Sequence, residues 1–478
     1  MNRPPPIDTN RRATLLTLLW SGLAGGCGVG QDGTGAAPDS QATGVVTGFG
    51  SVIVDGVTYD VAGADIATDG TGGRRQDDLR VGMVVTLTGS LAGDGASGSA
   101  SRVIFESLLR GTLDGAPGAT ALQVLGQRIG FDATTLFDGV DSAAALASGD
   151  PVQVSGFTDP AGGFRATWVG KESSVPAPQL TGFITAANAT VVQFAGLSVN
   201  IGSAALVGFG AGAPSVGQRV RATLQAAPAG GAAVATRLAL IDAGLAGALR
   251  SLALHGLVRN WNAANRTFVL ERQNVRLTAA TQFVGGTLAD IGNGARLRVI
   301  GPRGTDDVLS AARVHVYAPA VDGYVRGRVA AIDLVNRRVT VQVTPVAQVV
   351  VQVQERTVLS DRTLAAGALT LANLAVNQEV LALGWLNGST LDAGLLQRLP
   401  ITTPGVGIGG PVSVIVNGTG LTILGVAVTP ANAAQYFDAQ GAVLSQAAFY
   451  AGLLGALVRV EGGQLGNVLV ATVLRRAT

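Results

Sequence analysis

The stretch Ser51-Val52-Ile53-Val54-Asp55-Gly56-Val57-Thr58-Tyr59-Asp60 sets β-branched runs on both sides of an Asp-Gly pair. Asp-Gly between two such runs is the strongest short-range sign of a two-residue hairpin turn, because both residues reach positive φ at little cost. The residues before it, Gly44-Val45-Val46, recur as Gly111-Thr112-Leu113, Gly182-Phe183-Ile184, Gly256-Leu257-Val258, Gly327-Arg328-Val329 and Gly410-Pro411-Val412. The residues after it recur too, as Val81 to Leu87, Gly149 to Val154, Val216 to Ala222, Gly294 to Val299, Asn377 to Ala382 and Gly455 to Val460. Each copy ends on a short run such as Ala100-Ser101-Arg102-Val103 or Ala311-Ala312-Arg313-Val314. A fixed period fixes the architecture before any detail of secondary structure does.

One period holds about five strands, and Leu/Ala-rich segments before the fourth, such as Leu364 to Val376 and Ala431 to Tyr450, are expected to form short helices. That order suits an all-β chain of about six tandem small five-stranded barrels of OB type, each closed on itself so that no edge is exposed. The repeats are expected at 42–110, 111–175, 179–243, 254–318, 324–400 and 405–478. A six-bladed β-propeller is the rival architecture. Polar residues at alternate positions of Val81 to Gly89 and Arg296 to Gly301 favour barrels with a wet outside, since blades need two apolar faces. The barrels are expected in a row, as a rod, each folding by itself. With aromatics at 5%, the chain lacks the girdles of a transmembrane barrel.

The hairpin Gly48-Phe49-Gly50-Ser51-Val52 to Tyr59-Asp60, with Asp78 to Val85 and Ala100 to Val103, resembles the bacterial envelope domain of unknown function 5666. The resemblance implies repeated small β-barrels in lipoproteins. It carries over no catalytic or binding residue.

The N-terminus points to export. Arg11-Arg12 precedes a short apolar run from Thr14 to Ala24, which is too short to span a bilayer, and Leu23-Ala24-Gly25-Gly26-Cys27 follows. This resembles a bacterial lipoprotein signal with Cys27 as the lipidated residue and the twin-arginine route as carrier. Ala24 stands where Leu is usual, so a plain secretory peptide stays open as the alternative. A lone cysteine has no disulfide partner, which favours lipidation in an oxidising compartment. Residues 1–27 are thus read as a signal and 28–41 as a flexible Gly/Ala/Ser tether on an outer-membrane-anchored or periplasmic protein.

Charge narrows the partners. Only 13% of the 478 residues are charged, and the net charge of +2 is too small to make the whole chain a polyanion binder. Lys171 is the only lysine, as codon bias in a high-GC genome would give. The first repeat is acidic, with Asp55, Asp60, Asp65, Asp69, Asp77 and Asp78, while repeats four and five are rich in arginine. Arg259, Arg266, Arg272, Arg276, Arg296, Arg298, Arg326 and Arg328, beside Trp261, form the candidate patch for an anionic envelope glycan. A solvated outer face is the plainer reading of the same residues. Nucleic acid is not expected outside the cytoplasm.

Chemistry-bearing motifs are sparse. His255 and His315 are the only histidines and are read as surface residues, with no carboxylate at ligand spacing and hence no metal site. Gly28-x-Gly30-x-x-Gly33, Gly93-x-Gly95-x-x-Gly98 and Gly405-x-Gly407-x-x-Gly410 match a dinucleotide fingerprint in letters but lack a βαβ context, so no cofactor is expected. Asp65-x-x-x-Asp69-Gly70 is read as a surface loop in preference to a calcium ligand. The expected function is a non-catalytic structural or ligand-binding module of the envelope, with envelope glycan or envelope protein as partner. An anionic-glycan binder through repeats four and five and an unrecognised envelope enzyme are the alternatives.

Overall fold

A computed structural model describes residues 40–477 apart from 50, 93–95, 159–162, 176, 195, 242–250, 272, 318–321, 364–368, 402–404, 417–419 and 440. The expected signal and Cys27 lie outside the described residues. The expected tether does too, except that the opening strand of barrel 1 already takes Ser40 and Gln41.

Barrel 1 fixes the pattern. Its opening strand Ser40–Gly48 pairs with Val52–Val54, which turns at Asp55-Gly56 into Val57–Asp60. The third strand, continued by Asp65–Thr68, runs parallel to the closing strand Ser97–Phe105. The closing strand pairs with the fourth, Val84–Leu91, and the fourth returns to the opening strand, so the ladder closes on itself. A parallel third and closing strand inside an otherwise antiparallel five-stranded ring is the OB arrangement. The ring recurs from Leu109–Thr112 to Phe164–Lys171, Gln179–Phe183 to Ala232–Leu240 and Ser251–Asn262 to Val308–Tyr317. It recurs again from Gly323–Asp333 to Thr390–Leu399 and from Val406–Val416 to Val468–Arg476. Propeller blades are excluded, because each repeat's fourth strand returns to its own opening strand.

Among the described residues, the expected helices shrink to 3-10 turns such as Leu371–Asn373 and one short α-helix, Gln446–Tyr450. The first part of Ala431 to Tyr450, up to Phe437, is instead taken by the long third strand Val426–Phe437, whose Val426, Val428 and Tyr436 are buried. Burial of alternate side chains outweighs the helix propensity of its alanines.

The recurrent glycine of the opening strand has a steric cause in barrels 1, 2 and 4. A Cβ on Gly44 would lie 2.1 Å from Oδ2 of Asp55, the hairpin-turn residue whose side chain folds back over the strand. Gly111 lies likewise under Leu125, at 2.7 Å, and Gly256 under Glu271, at 2.8 Å. Asp55, Leu125 and Glu271 all hold positive φ, at 48°, 54° and 54°. A second recurrent glycine marks the bulge of the fourth strand, where a Cβ on Gly89 would meet Ser99 O at 1.9 Å.

The barrels do not stand in a row, which corrects the rod. The second strand of each barrel pairs only with the later part of the opening strand, so the earlier part keeps a free edge. Ser40–Thr43 of barrel 1 pairs through that edge with Ser251–Leu254 of barrel 4, in parallel. Leu109 and Arg110 of barrel 2 pair with Leu180 and Gln179 of barrel 3, and Tyr324–Arg326 of barrel 5 with Gly407–Gly409 of barrel 6. The result is three continuous sheets of 12, 13 and 11 strands. Cores follow the same pairing in two of the three cases, while barrel 4 keeps a cluster of its own. One apolar cluster spans barrels 2 and 3, and another spans barrels 5 and 6. The core of barrel 1 extends to Leu136 and Trp168 of barrel 2, Ala253 of barrel 4 and Tyr324, Leu383 and Leu395 of barrel 5.

Candidate functional site: an inter-barrel cavity above a buried Asp-His-Arg network

The Asp55-Gly56 turn, with φ of 48° and 85°, is where barrel 1 meets its neighbours. Gly56 lies against the backbone of Glu355 in barrel 5, with no room for a Cβ. Asp55 is buried against barrel 4, where His255 Nδ1 donates to its carboxylate at 2.9 and 3.0 Å. Arg298 Nη1 donates to the Asp55 carbonyl at 3.1 Å, and its Nε lies 3.8 Å from Oδ2. On the far side of the imidazole, Arg296 Nε donates to His255 Nε2 at 2.9 Å. That bond requires a bare Nε2, which fixes the neutral Nδ1–H tautomer. The ring stacks on Tyr317 at 4.5 Å and packs against Phe157 of barrel 2 at 4.8 Å.

His255 is therefore no surface residue. It occupies the outer face of barrel 4 as alternation requires, but barrel 1 covers that face and leaves it 0% exposed. Arg298 of the fourth strand stands between the two histidines, in register with both. His315 is half-buried, with an unpartnered, buried Nδ1.

Burial, with help from Arg296, holds His255 below the usual imidazole range against the pull of Asp55. His315 is pushed down to about 4 by burial first, then by Arg298, Arg356 and Arg313. Burial works to raise the Asp55 carboxyl, but His255, Arg298 and Arg296 outweigh it and hold it low. Below about pH 6.5 the unfolded histidines take up protons that the folded ones refuse, so stability falls on acidification. Asp55 extends the loss below about pH 4, where the unfolded carboxyl protonates first. The urea midpoint should thus drop steadily from about pH 7 to about pH 5, and less so in His315→Gln. A flat midpoint over that range would contradict these assignments.

Above this network lies a cavity of about 650 Å³ between barrels 1, 2, 4 and 5. Asp132 and Arg165 of barrel 2, Arg296 and Tyr317 of barrel 4, and Arg356 and Trp385 of barrel 5 carry its chemistry. Arg165 pairs with Asp132 at 3.0 Å, and Thr134 donates to the same carboxylate. Burial pushes Asp132 up, but Thr134, Arg296 and Arg165 together hold it low. Arg356 differs from the other cations. Its guanidinium sits 5.6 Å from the Tyr317 ring and 5.7 Å from that of Trp385, while Nε and Nη1 are buried without any hydrogen-bond partner. Arg356 falls in the register break between Val353 and Val358, where a bulge re-aims side chains.

Of the arginines expected to form the anionic patch, the structure brings Arg296 to the cavity and Arg298 beneath it. Arg259 donates to the Glu271 carbonyl and lies 4.7 Å from the Phe183 ring of barrel 3. Arg326 is held by Glu379 at 2.7 and 2.9 Å, and exposed Arg276 by Asp306 at 3.3 Å. Arg266 and Arg328 are exposed, Trp261 lies 6.0 Å from Phe268, and Arg272 is outside the described residues. Asp69 is also engaged, accepting from the backbone and hydroxyl of Ser107 and from Gln153. Gly407 and Gly410 sit within a strand, so no phosphate-binding turn forms there.

Among the described residues, no cluster of His, Cys, Asp and Glu could hold a metal ion. A search of curated proteins finds no match to the chain. Residues 110–170 and 255–315 match the profile of a domain of unknown function (DUF5666), and these stretches are barrels 2 and 4, whereas the barrel 1 hairpin lies outside both.

Proposed function

We propose that this chain is a non-catalytic binding protein of the bacterial envelope, anchored through Cys27, whose inter-barrel cavity takes an anionic ligand. The observation that carries this reading is Arg356, whose buried Nε and Nη1 have no partner. A buried guanidinium N–H left unmade costs more than an ordinary lost hydrogen bond, and a bidentate oxyanion relieves it best. A volume near 650 Å³ falls in the range of small-molecule sites, which commonly lie between domains. The non-catalytic part rests on His255, whose Nε2 is occupied by Arg296 and is not free to take a proton from a substrate. The anchoring part rests on the sequence from Arg11 to Cys27.

Calorimetric titration of the full-length protein with sulfate and with acetate tests the binding reading. Saturable uptake of at least one, lost in Arg356→Met, is expected; no uptake, or equal uptake by the variant, refutes it. For the anchor, Cys27→Ser is expected to move the protein out of the membrane fraction, and unchanged fractionation refutes it.

A further inference from the structure

We infer that the ligand of the inter-barrel cavity is an acidic sugar, a uronate residue entering carboxylate first. This rests on the anion reading and adds the ligand's class.

The cavity is not lined as a simple anion hole. Its inner part holds Arg356, Arg296 and the apolar faces of Tyr317 and Trp385, whereas exposed Asp290 and Asn293 stand at its rim. Oδ2 of Asp290 accepts from the backbone and hydroxyl of Thr287 at 2.7 and 2.9 Å, which leaves Oδ1 to accept from a ligand. Oδ1 of Asn293 accepts from the Trp261 backbone at 2.9 Å, so its amide N–H groups are left to donate. A rim carboxylate beside a rim amide repels a bare inorganic anion but matches adjacent hydroxyls, which donate and accept together. On the barrel 2 side the Thr134 hydroxyl, which donates to Asp132, keeps its oxygen lone pairs for a ligand hydroxyl. Gly292 and Gly294 line the same walls with open space over them and let a ring approach the backbone, whereas Gly285 lies under the Arg356 guanidinium and Gly394 under the Trp385 ring. One negative group held inside and several hydroxyls held outside describe a polyhydroxy acid.

The test titrates the full-length protein with oligogalacturonate, a neutral galactose oligomer, acetate, sulfate and glutamate. Oligogalacturonate is expected to bind roughly ten-fold or more tighter than acetate, and the neutral oligomer not measurably. Arg356→Met should abolish both anionic interactions. Asp290→Asn, an exposed rim change, should weaken oligogalacturonate, which loses a hydroxyl acceptor, while acetate, relieved of the rim carboxylate's repulsion, binds at least as well as before. Sulfate or acetate binding as well as oligogalacturonate would overturn the sugar inference and leave the anion reading standing. Glutamate binding tightest would overturn it in favour of an amino acid, whose ammonium Asp290 would then hold. Absence of binding by every anion would overturn both.

Discussion

Replacing Asp55 by Asn should lower the stability of the full chain by about 3 kcal/mol, far more than an exposed Asp→Asn change. Asn tolerates the positive φ of 48° at this position, so the turn itself survives and the loss reports on charge. What is lost is the counter-charge of Arg298, whose side chain is only 8% exposed, and one of the two carboxylate oxygens facing His255 Nδ1. A buried pair loses most when one partner is removed, because the other stays behind uncompensated. The double variant Asp55→Asn with Arg298→Met should therefore recover part of the loss, as coupled neighbours do. Denaturant midpoints of the three variants decide it. A single variant within about 0.5 kcal/mol of the parent, or a double variant showing the simple sum, would mean the network does not hold the barrels together.

The second large effect concerns fragments. Residues 322–477, barrels 5 and 6, should fold and melt cooperatively alone, because their core cluster draws no residue from outside the pair. Residues 42–110, barrel 1, should not, although sequence length alone suggests a marginal core of its own. Its cluster depends on Leu136, Trp168, Ala253, Tyr324, Leu383 and Leu395, which the fragment lacks. It would also carry an open strand edge at Ala42 and Thr43 and a charged Asp55 without its histidine and arginine. Calorimetry of the two fragments separates the cases: a sharp transition in barrel 1 alone would show that the shared core is dispensable.

The sequence carried the ring but not its partners. Strand alternation and the Asp55-Gly56 turn are local properties, and the OB order followed from them. The joining of opening strands was illegible, because side chains alternate in the same way whether a backbone edge pairs within a barrel or across to another. His255 illustrates the same limit. Its place on the outer face of its strand was readable, but the cover supplied by Asp55, 200 residues away, was not. Arg356 did leave a trace, since Gln354-Glu355-Arg356-Thr357 interrupts the valines of Val349 to Val353 where the bulge forms. A run of four polar residues interrupting the valine alternation of the strand was the available signal for the cavity.

The pairing of opening strands also imposes a parity rule. Each barrel brings half a strand of open backbone edge, and among the described residues the three couplings described above take these edges up in twos. An even number of barrels is self-sufficient in this scheme. A relative with one barrel added or deleted would be left with an unmatched half-strand, an adhesive edge that the same register could extend to a second copy of the chain.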